Sequence, residues 1–405
     1  MNGTFKNLAL TTALLSVSFS AYAADSDPCA GVKAMARSRD AARSLAGLIS
    51  TGDEQAQHCA IRAAGETRNL AAADALLANV ENYTSQAPGK GVYEDNLNAR
   101  LKALDSIWAL GEIGDPAVLK KLLKFYKDSD DTVRINMAIG AGKTKGKDAE
   151  GFLFNLAADT SESNVVRAAA YEMLDANRAR MPQPQLSAFN GMEKGDLIYT
   201  GGIFGIPQGW INETPVGHAG LYAGAEIKDG KLVVVIYDCV PDNFKPYGGV
   251  RKIFSFYNFT HHNTYAFYGN RVSKLRPTPA QRDMIIAAAA AKVGHHYSDT
   301  HFSQKGPEDF DCVGYTEYAY EAAGLNPTPN DQETGWGWPL TPAEQFAATV
   351  SNTRSAPKIA APAAGDIAAP HQDVITGNSA ALTGAFGMGA AKSAEAPAPV
   401  FEAVN

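Results

Sequence analysis

Phe310-Asp311-Cys312-Val313-Gly314-Tyr315 places a cysteine where a helix is expected to open, with an Asp at the cap position just before it. Free amide groups and the positive end of the helix dipole would then face the sulfur, which predicts a lowered thiol pKa and a nucleophilic thiolate. A small core cysteine is the alternative for such a position. A partner is available upstream. Val216-Gly217-His218-Ala219-Gly220-Leu221-Tyr222 sets His218 at the entrance of a strand between two glycines, where a helix terminus can approach closely. Neutral His activates a thiol as a base and returns the proton to a leaving amine. Leu232, Val234, Ile236 and Asp238 share one face of the next strand, so Asp238 ends an apolar row. Its carboxylate could accept the other ring proton of His218 and fix the tautomer. Taken singly, a satisfied strand His and an edge Asp are ordinary structural residues; together with Cys312 they make a nucleophile, a base and an orienter.

These motifs resemble the NlpC-type cysteine peptidases, papain-like enzymes of bacterial cell walls. The stretch Phe310 to Gly314 matches the family's Phe-Asp-Cys-Ser-Gly, with Val313 where Ser is usual, and Tyr318-Ala319-Tyr320 and Ala323-Gly324-Leu325 follow. Val293-Gly294 and Tyr297 resemble the segment leading into that motif. The order, His218 before Cys312, is that of the circularly permuted, YiiX-like branch. Its opening segments are matched by Gly195-Asp196-Leu197-Ile198 and by Gly217 to Tyr222, and Gly248-Gly249-Val250-Arg251 follows the acidic position. Asp238 departs from the branch, which usually carries Glu there. The resemblance spans about residues 192 to 350 and implies Cys312 as nucleophile, His218 as base, Asp238 as orienter and Tyr297 as a helper at the oxyanion. It implies cell-wall stem peptides as substrate, with acyl or lipid amides as an alternative, and no cofactor.

Other clusters have competing readings. His295, His296, Asp299 and His301 have the composition of a metal site, but no His-x-x-x-His spacing occurs, and imidazoles just beyond a helix end suit the dipole there. His261-His262 reads as a polar loop. Gly201-Gly202 and the glycines from 205 to 209 lack the setting of a phosphate loop and read as a mobile loop near His218. Trp210, Trp336 and Trp338 sit in loops and could wall a substrate groove or simply pack.

The elements that must position these residues can be read as well. Asp196 to Thr200, Ala219 to Ala223 and Lys231 to Asp238 read as strands, the last after the turn signal Asp229-Gly230. Thr278, Pro279 and Gln281 open a helix with a capping box, and Gly294 stops it. A second helix runs from about Cys312 to Gly324, held by an apolar face of Tyr315, Tyr318, Ala319 and Ala322, and a third begins at Thr341-Pro342-Ala343-Glu344. Strands segregated from helices predict an α+β domain over residues 191–350 with an antiparallel sheet, papain-like by the resemblance.

Before it, residues 24–181 are Ala- and Leu-rich with helical periodicity. Ala99-Arg100, Val133-Arg134 and Val166-Arg167 recur 34 and 33 residues apart, and Arg62 marks a more degenerate copy 38 residues earlier. Asp115-Pro116 after Gly114 ends one helix and caps the next. Helix pairs at this interval stack as a solenoid, and the pattern resembles HEAT-type repeats; a plain bundle is the alternative. Such arrays bind macromolecules, so a protein partner is expected there. Residues 182–190 form a polar, Pro-containing linker, and 351–405 is an Ala/Pro-rich tail whose composition predicts disorder.

Residues 1–23 carry Lys6, a short apolar run and Ala21-Tyr22-Ala23, the marks of a secretory signal cleaved near Ala23, too short to span a bilayer. A periplasmic or secreted protein is expected, without a transmembrane segment. Export makes Cys29–Cys59 and Cys239–Cys312 conceivable disulfides, the second of which would remove the nucleophile. With 36 basic and 43 acidic residues, net −7, the chain offers no electrostatic footprint for nucleic acid. The sequence therefore predicts a multidomain exported cysteine hydrolase acting on amide bonds, with a catalytically silent envelope-binding protein as the alternative.

Overall fold

Asp115 accepts the N–H groups of Ala117 and Val118 while Pro116 takes the first helical position, so the Asp-Pro signal does start a helix. The structure is a computed structural model describing residues 29–36, 41–85, 97–202, 215–244, 247–298, 304–329 and 340–352. The expected export signal, Trp210, Trp336, Trp338, Asp299, His301 and the tail beyond 352 lie outside the described residues.

The N-terminal half contains α1 (Ala30–Ala36), α2 (Ala41–Thr51), α3 (Glu54–Glu66), α4 (Ala73–Ser85), α5 (Leu97–Ile113), α6 (Pro116–Leu122), α7 (Asp131–Thr144), α8 (Lys147–Ala158) and α9 (Asn164–Ala176). The helices pair in chain order, and the second members α3, α5, α7 and α9 pack each on the next. Small residues make that approach possible: a Cβ on Gly111 of α5 would stand 2.7 Å from the Cα of Gly140 in α7.

The recurring arginines explain the period. Arg100 pairs with Asp130, the cap of α7, at 2.5 Å and bonds the Tyr83 hydroxyl; Arg134 pairs with Glu162 at 3.1 Å and packs over Tyr126. Each buried guanidinium thus ties one repeat to the start of the next, and removing one partner would strand a buried charge. Arg62 breaks this pattern. It lies over the rings of Trp108 and Tyr265 at 4.4 and 4.3 Å and reaches out of the array altogether.

The second half is built on a six-stranded antiparallel sheet in the order β4-β3-β2-β1-β5-β8, from β1 (Leu197–Gly201), β2 (Val216–Lys228), β3 (Lys231–Val240), β4 (Gly249–Ile253), β5 (Phe267–Val272) and β8 (Val350–Ser351). Asp229 and Gly230, with φ of 49° and 72°, make the tight turn that their types demand and set β2 against β3. A short parallel pair, β6 (His296–Tyr297) with β7 (Asp309–Phe310), leads into the Cys312 region. Four helices complete this half: α10 (Phe256–Phe259), α11 (Pro279–Ala290), α12 (Cys312–Glu321) and α13 (Pro342–Ala348). Both expected capping boxes form, Thr278 with Gln281 and Thr341 with Glu344.

All the described residues belong to one unit. Within it the helices and the sheet pack together: α9 lies against β3 and α7 against β5, whereas α12 and α13 pack on β2. The segment 187–190 is fastened to α9 as well. Ser163 makes no side-chain cap bond, and the carbonyls of Phe189 and Asn190 instead accept the N–H groups of Asn164 and Val165 at 2.9 and 3.2 Å. One expectation needs correction, and one open question is answered. Ala322 is exposed, and Ala323 takes its place on the buried face of α12 with Tyr315, Ala319 and Tyr320, because the chain leaves the helix at Glu321. The conceivable Cys239–Cys312 disulfide is not formed: Cys29 bonds Cys59, and the other two cysteines are buried free thiols.

Candidate active site

Asp311 caps α12 by accepting the N–H of Gly314 at 2.7 Å, and Cys312 occupies the first turn. Gln304 braces this start. Its side-chain amide donates to Asp311 Oδ2 at 2.5 Å and to the Leu340 carbonyl at 2.8 Å. Its backbone lies so close that a Cβ on Gly314 would meet the Gln304 carbonyl oxygen at 2.0 Å. The glycine at 314 therefore has a steric reason.

The β2–β3 ladder ends at Gly220 opposite Asp238, and the backbone N–H groups of Ala219 and Val313 act to lower the Cys312 thiol pKa. Helix α12, which begins with this cysteine, packs on β2, the strand that carries His218. His218 is buried, and its Nε2 stands 3.1 Å from Asp238 Oδ2, which leaves Nδ1 as the nitrogen for proton transfer. The structure brings His218 and Asp238 into contact and places Cys312 on the helix that packs on β2 and β3, the strands that carry them. Tyr297, half-buried on β6, is in register with Phe310, two residues before the cysteine, and its N–H donates to Asp242 at 2.9 Å.

Two buried residues at this site were not singled out for a role by sequence reasoning. Arg251 donates to both oxygens of Asp238, through Nε at 2.7 Å and Nη2 at 2.9 Å. Burial alone would raise the Asp238 carboxyl, but the Arg251 charge and the His218 hydrogen bond outweigh it and hold the group well below the usual range. Arg251 meets Asp238 through the β3–β4 register, which sets the two opposite each other. His261 is the second: it and His262 lie in a turn, as the loop reading expects, and His262 is exposed, but His261 is not. Its side chain is buried, with its ring 4.8 Å from that of His218, and burial, then His218, push its pKa down to about 2. Nothing in the local sequence foretold this, because its ring is covered by those of His218, Phe244 and Tyr265, which the tertiary fold brings together.

The expected low thiol pKa also needs correction. Burial pushes the Cys312 thiol up, and the Asp311 carboxylate adds to this, against the lowering effect of the two N–H groups. The aligned dipoles at the start of α12 do not offset full desolvation beside a carboxylate. Cys239, which donates to the Phe310 carbonyl at 3.1 Å, is likewise raised by burial and by Cys312 nearby. Of the residues first considered for a metal, His295 bonds the Glu308 carbonyl at 2.8 Å and His296 bonds Asp242 at 2.9 Å on the surface.

The face of the sheet that carries His218 and Asp238 is backed by Phe256, Phe259 and α9, so the identity of the helical array bears on the site. Residues 99–177 match the family of HEAT repeats. The match runs from α5 through α9 and contains Arg100, Arg134 and Arg167. No curated protein and no solved structure matches the chain. Among the described residues, no helix is long and apolar enough to cross a membrane.

Proposed function

We propose that this chain is an exported cysteine hydrolase that cleaves amide bonds, in cell-wall stem peptides first and lipid amides second, on a permuted papain-like domain. The observation that carries this reading is the buried His218–Asp238–Arg251 chain on the sheet, with Cys312 at the start of α12, the helix that packs on the strand carrying His218. His218 Nδ1 takes the thiol proton as the sulfur attacks the carbonyl carbon. The proton then passes to the departing amine, leaving a thioester, and water hydrolyses that ester with His218 again as the base. Because the thiol is raised by burial, it is neutral at rest and loses its proton during attack. Tyr297 is assigned beside the oxyanion, and Trp210, Trp336 and Trp338 remain the candidates for the substrate groove.

A second reading, a catalytically silent envelope-binding protein with the HEAT repeats recruiting a protein partner, is favoured by one observation, the burial that keeps Cys312 neutral. The deciding experiment incubates the full chain and Cys312→Ala with purified peptidoglycan fragments and with an acyl-amide panel. New amines released by the parent and absent for the variant support the hydrolase. Equal silence from both, with fragment binding retained, supports the binding protein.

A further inference from the structure

Three consecutive residues, His261, His262 and Asn263, have left-handed backbone, with φ of 53°, 64° and 56°. His and Asn tolerate this region better than most side chains, yet a run of three does not hold itself and persists only where its surroundings impose it. Those surroundings are the HEAT repeats and the helix pair before them. From α5, Trp108 Nε1 donates to the Asn263 carbonyl at 2.9 Å, and from α7 Lys143 Nζ donates to the same oxygen at 2.8 Å. From α3, Arg62 donates to the Thr264 carbonyl at 2.7 Å. Asn136 of α7 exchanges two hydrogen bonds with the backbone of Phe267, at 2.7 and 3.0 Å. In α9, Glu172 accepts the N–H groups of Phe256 and Tyr257 at 2.9 and 2.6 Å.

Every second helix of the array therefore grips the segment 256–267. That segment supplies the two rings that flank His218, Phe259 at 5.2 Å and His261 at 4.8 Å between centroids. We infer that the helical array works in cis as the support of the catalytic histidine, with His261 a positioning residue clamped by α3, α5, α7 and α9 against the His218 ring. This rests on the hydrolase reading of the same site. It also means that the face of the array formed by these helices is engaged by the protein's own chain.

The test uses the full chain and reads iodoacetamide alkylation of Cys312 and Cys239 by peptide mass spectrometry, with the thermal midpoint recorded alongside. His261→Asn keeps a residue that accepts left-handed backbone and removes the ring. Trp108→Phe with Lys143→Met removes both donors to the turn, and His218→Ala is the reference. Both test variants are expected to slow Cys312 alkylation roughly tenfold, in the direction of His218→Ala, because small displacements of a base carry large rate penalties. Cys239 should stay protected. If His218→Ala slows the reaction and the two test variants do not, the clamp is wrong and the hydrolase stands. If Cys239 becomes reactive in them, general loosening explains the effect and the inference falls. If His218→Ala has no effect, the hydrolase reading falls and takes the clamp with it.

Discussion

Arg251 holds Asp238 by both carboxylate oxygens, and the same carboxylate holds Nε2 of His218, all with side chains 4% exposed or less. The guanidinium does two things: it keeps the buried carboxylate ionised, and it fixes the plane in which that carboxylate meets the imidazole. Replacing Arg251 by Met would leave an uncompensated buried anion. The expected loss is about 3–5 kcal/mol, seen as a lowered urea midpoint. Arg251→Lys should recover part of the stability but not the bidentate geometry, so peptide hydrolysis should fall in both variants. An unchanged midpoint in Arg251→Met would contradict this account of the pair.

Stability should fall as the pH rises from about 5 to about 8. Burial raises Asp131 from 3.8 to about 7, outweighing the lowering effect of nearby Ser163 and Arg134, and raises Glu172 from 4.5 to about 7. The folded state therefore keeps these protons through a window in which the unfolded chain has lost them, and raising the pH favours unfolding. For the fully buried Asp131 the effect is of the order of 3 kcal/mol at most, and for the partly exposed Glu172 it is smaller. Asp131→Asn should flatten the thermal midpoint between pH 5 and pH 8. A slope as steep as in the parent would assign the titration to another group.

Features fixed by neighbours in sequence were legible beforehand. Asp229-Gly230, the two capping boxes, the Asp115-Pro116 start and the spacing of Arg100, Arg134 and Arg167 all act over a few residues or over one repeat. Their partners were not legible. Asp130 and Glu162 become the counter-charges of Arg100 and Arg134 only when helix pairs stack, and Arg251 meets Asp238 only through the β3–β4 register. Cys312 shows the same limit in its chemistry. Its place at a helix start could be read, but not the desolvation that reverses the effect on its thiol, because burial is a property of the assembled layers. The burial of His261 was not legible for this reason too, since its ring packs among those of His218, Phe244 and Tyr265 only once the sheet and its turn are assembled.

Gly314 should not tolerate a side chain. In Gly314→Ala the new methyl group would meet the Gln304 carbonyl at 2.0 Å, and both partners are backbone, so neither can turn aside. The start of α12 must shift, carrying Cys312 with it. Amide hydrolysis should drop by about a hundredfold, the scale of a misplacement near 1 Å. Circular dichroism should retain the helical signal of the array. Normal turnover by Gly314→Ala would show that the position of the α12 start does not govern the chemistry.

Reducing agent should separate stability from reactivity. Cys29–Cys59 closes a loop with a sequence separation of 30 residues, for which chain entropy gives a stabilisation of about 3.5 kcal/mol. Cys239 and Cys312 are free thiols, so reduction leaves the proposed nucleophile as it is. Dithiothreitol is therefore expected to lower the thermal midpoint of the parent and of Cys312→Ala alike, and to leave Cys29→Ala with Cys59→Ala unchanged at an already lower midpoint. At a temperature below all these transitions, hydrolysis by the parent should be the same with and without the reductant. Activity that appears only after reduction would instead mean that Cys312 is blocked in the oxidised protein.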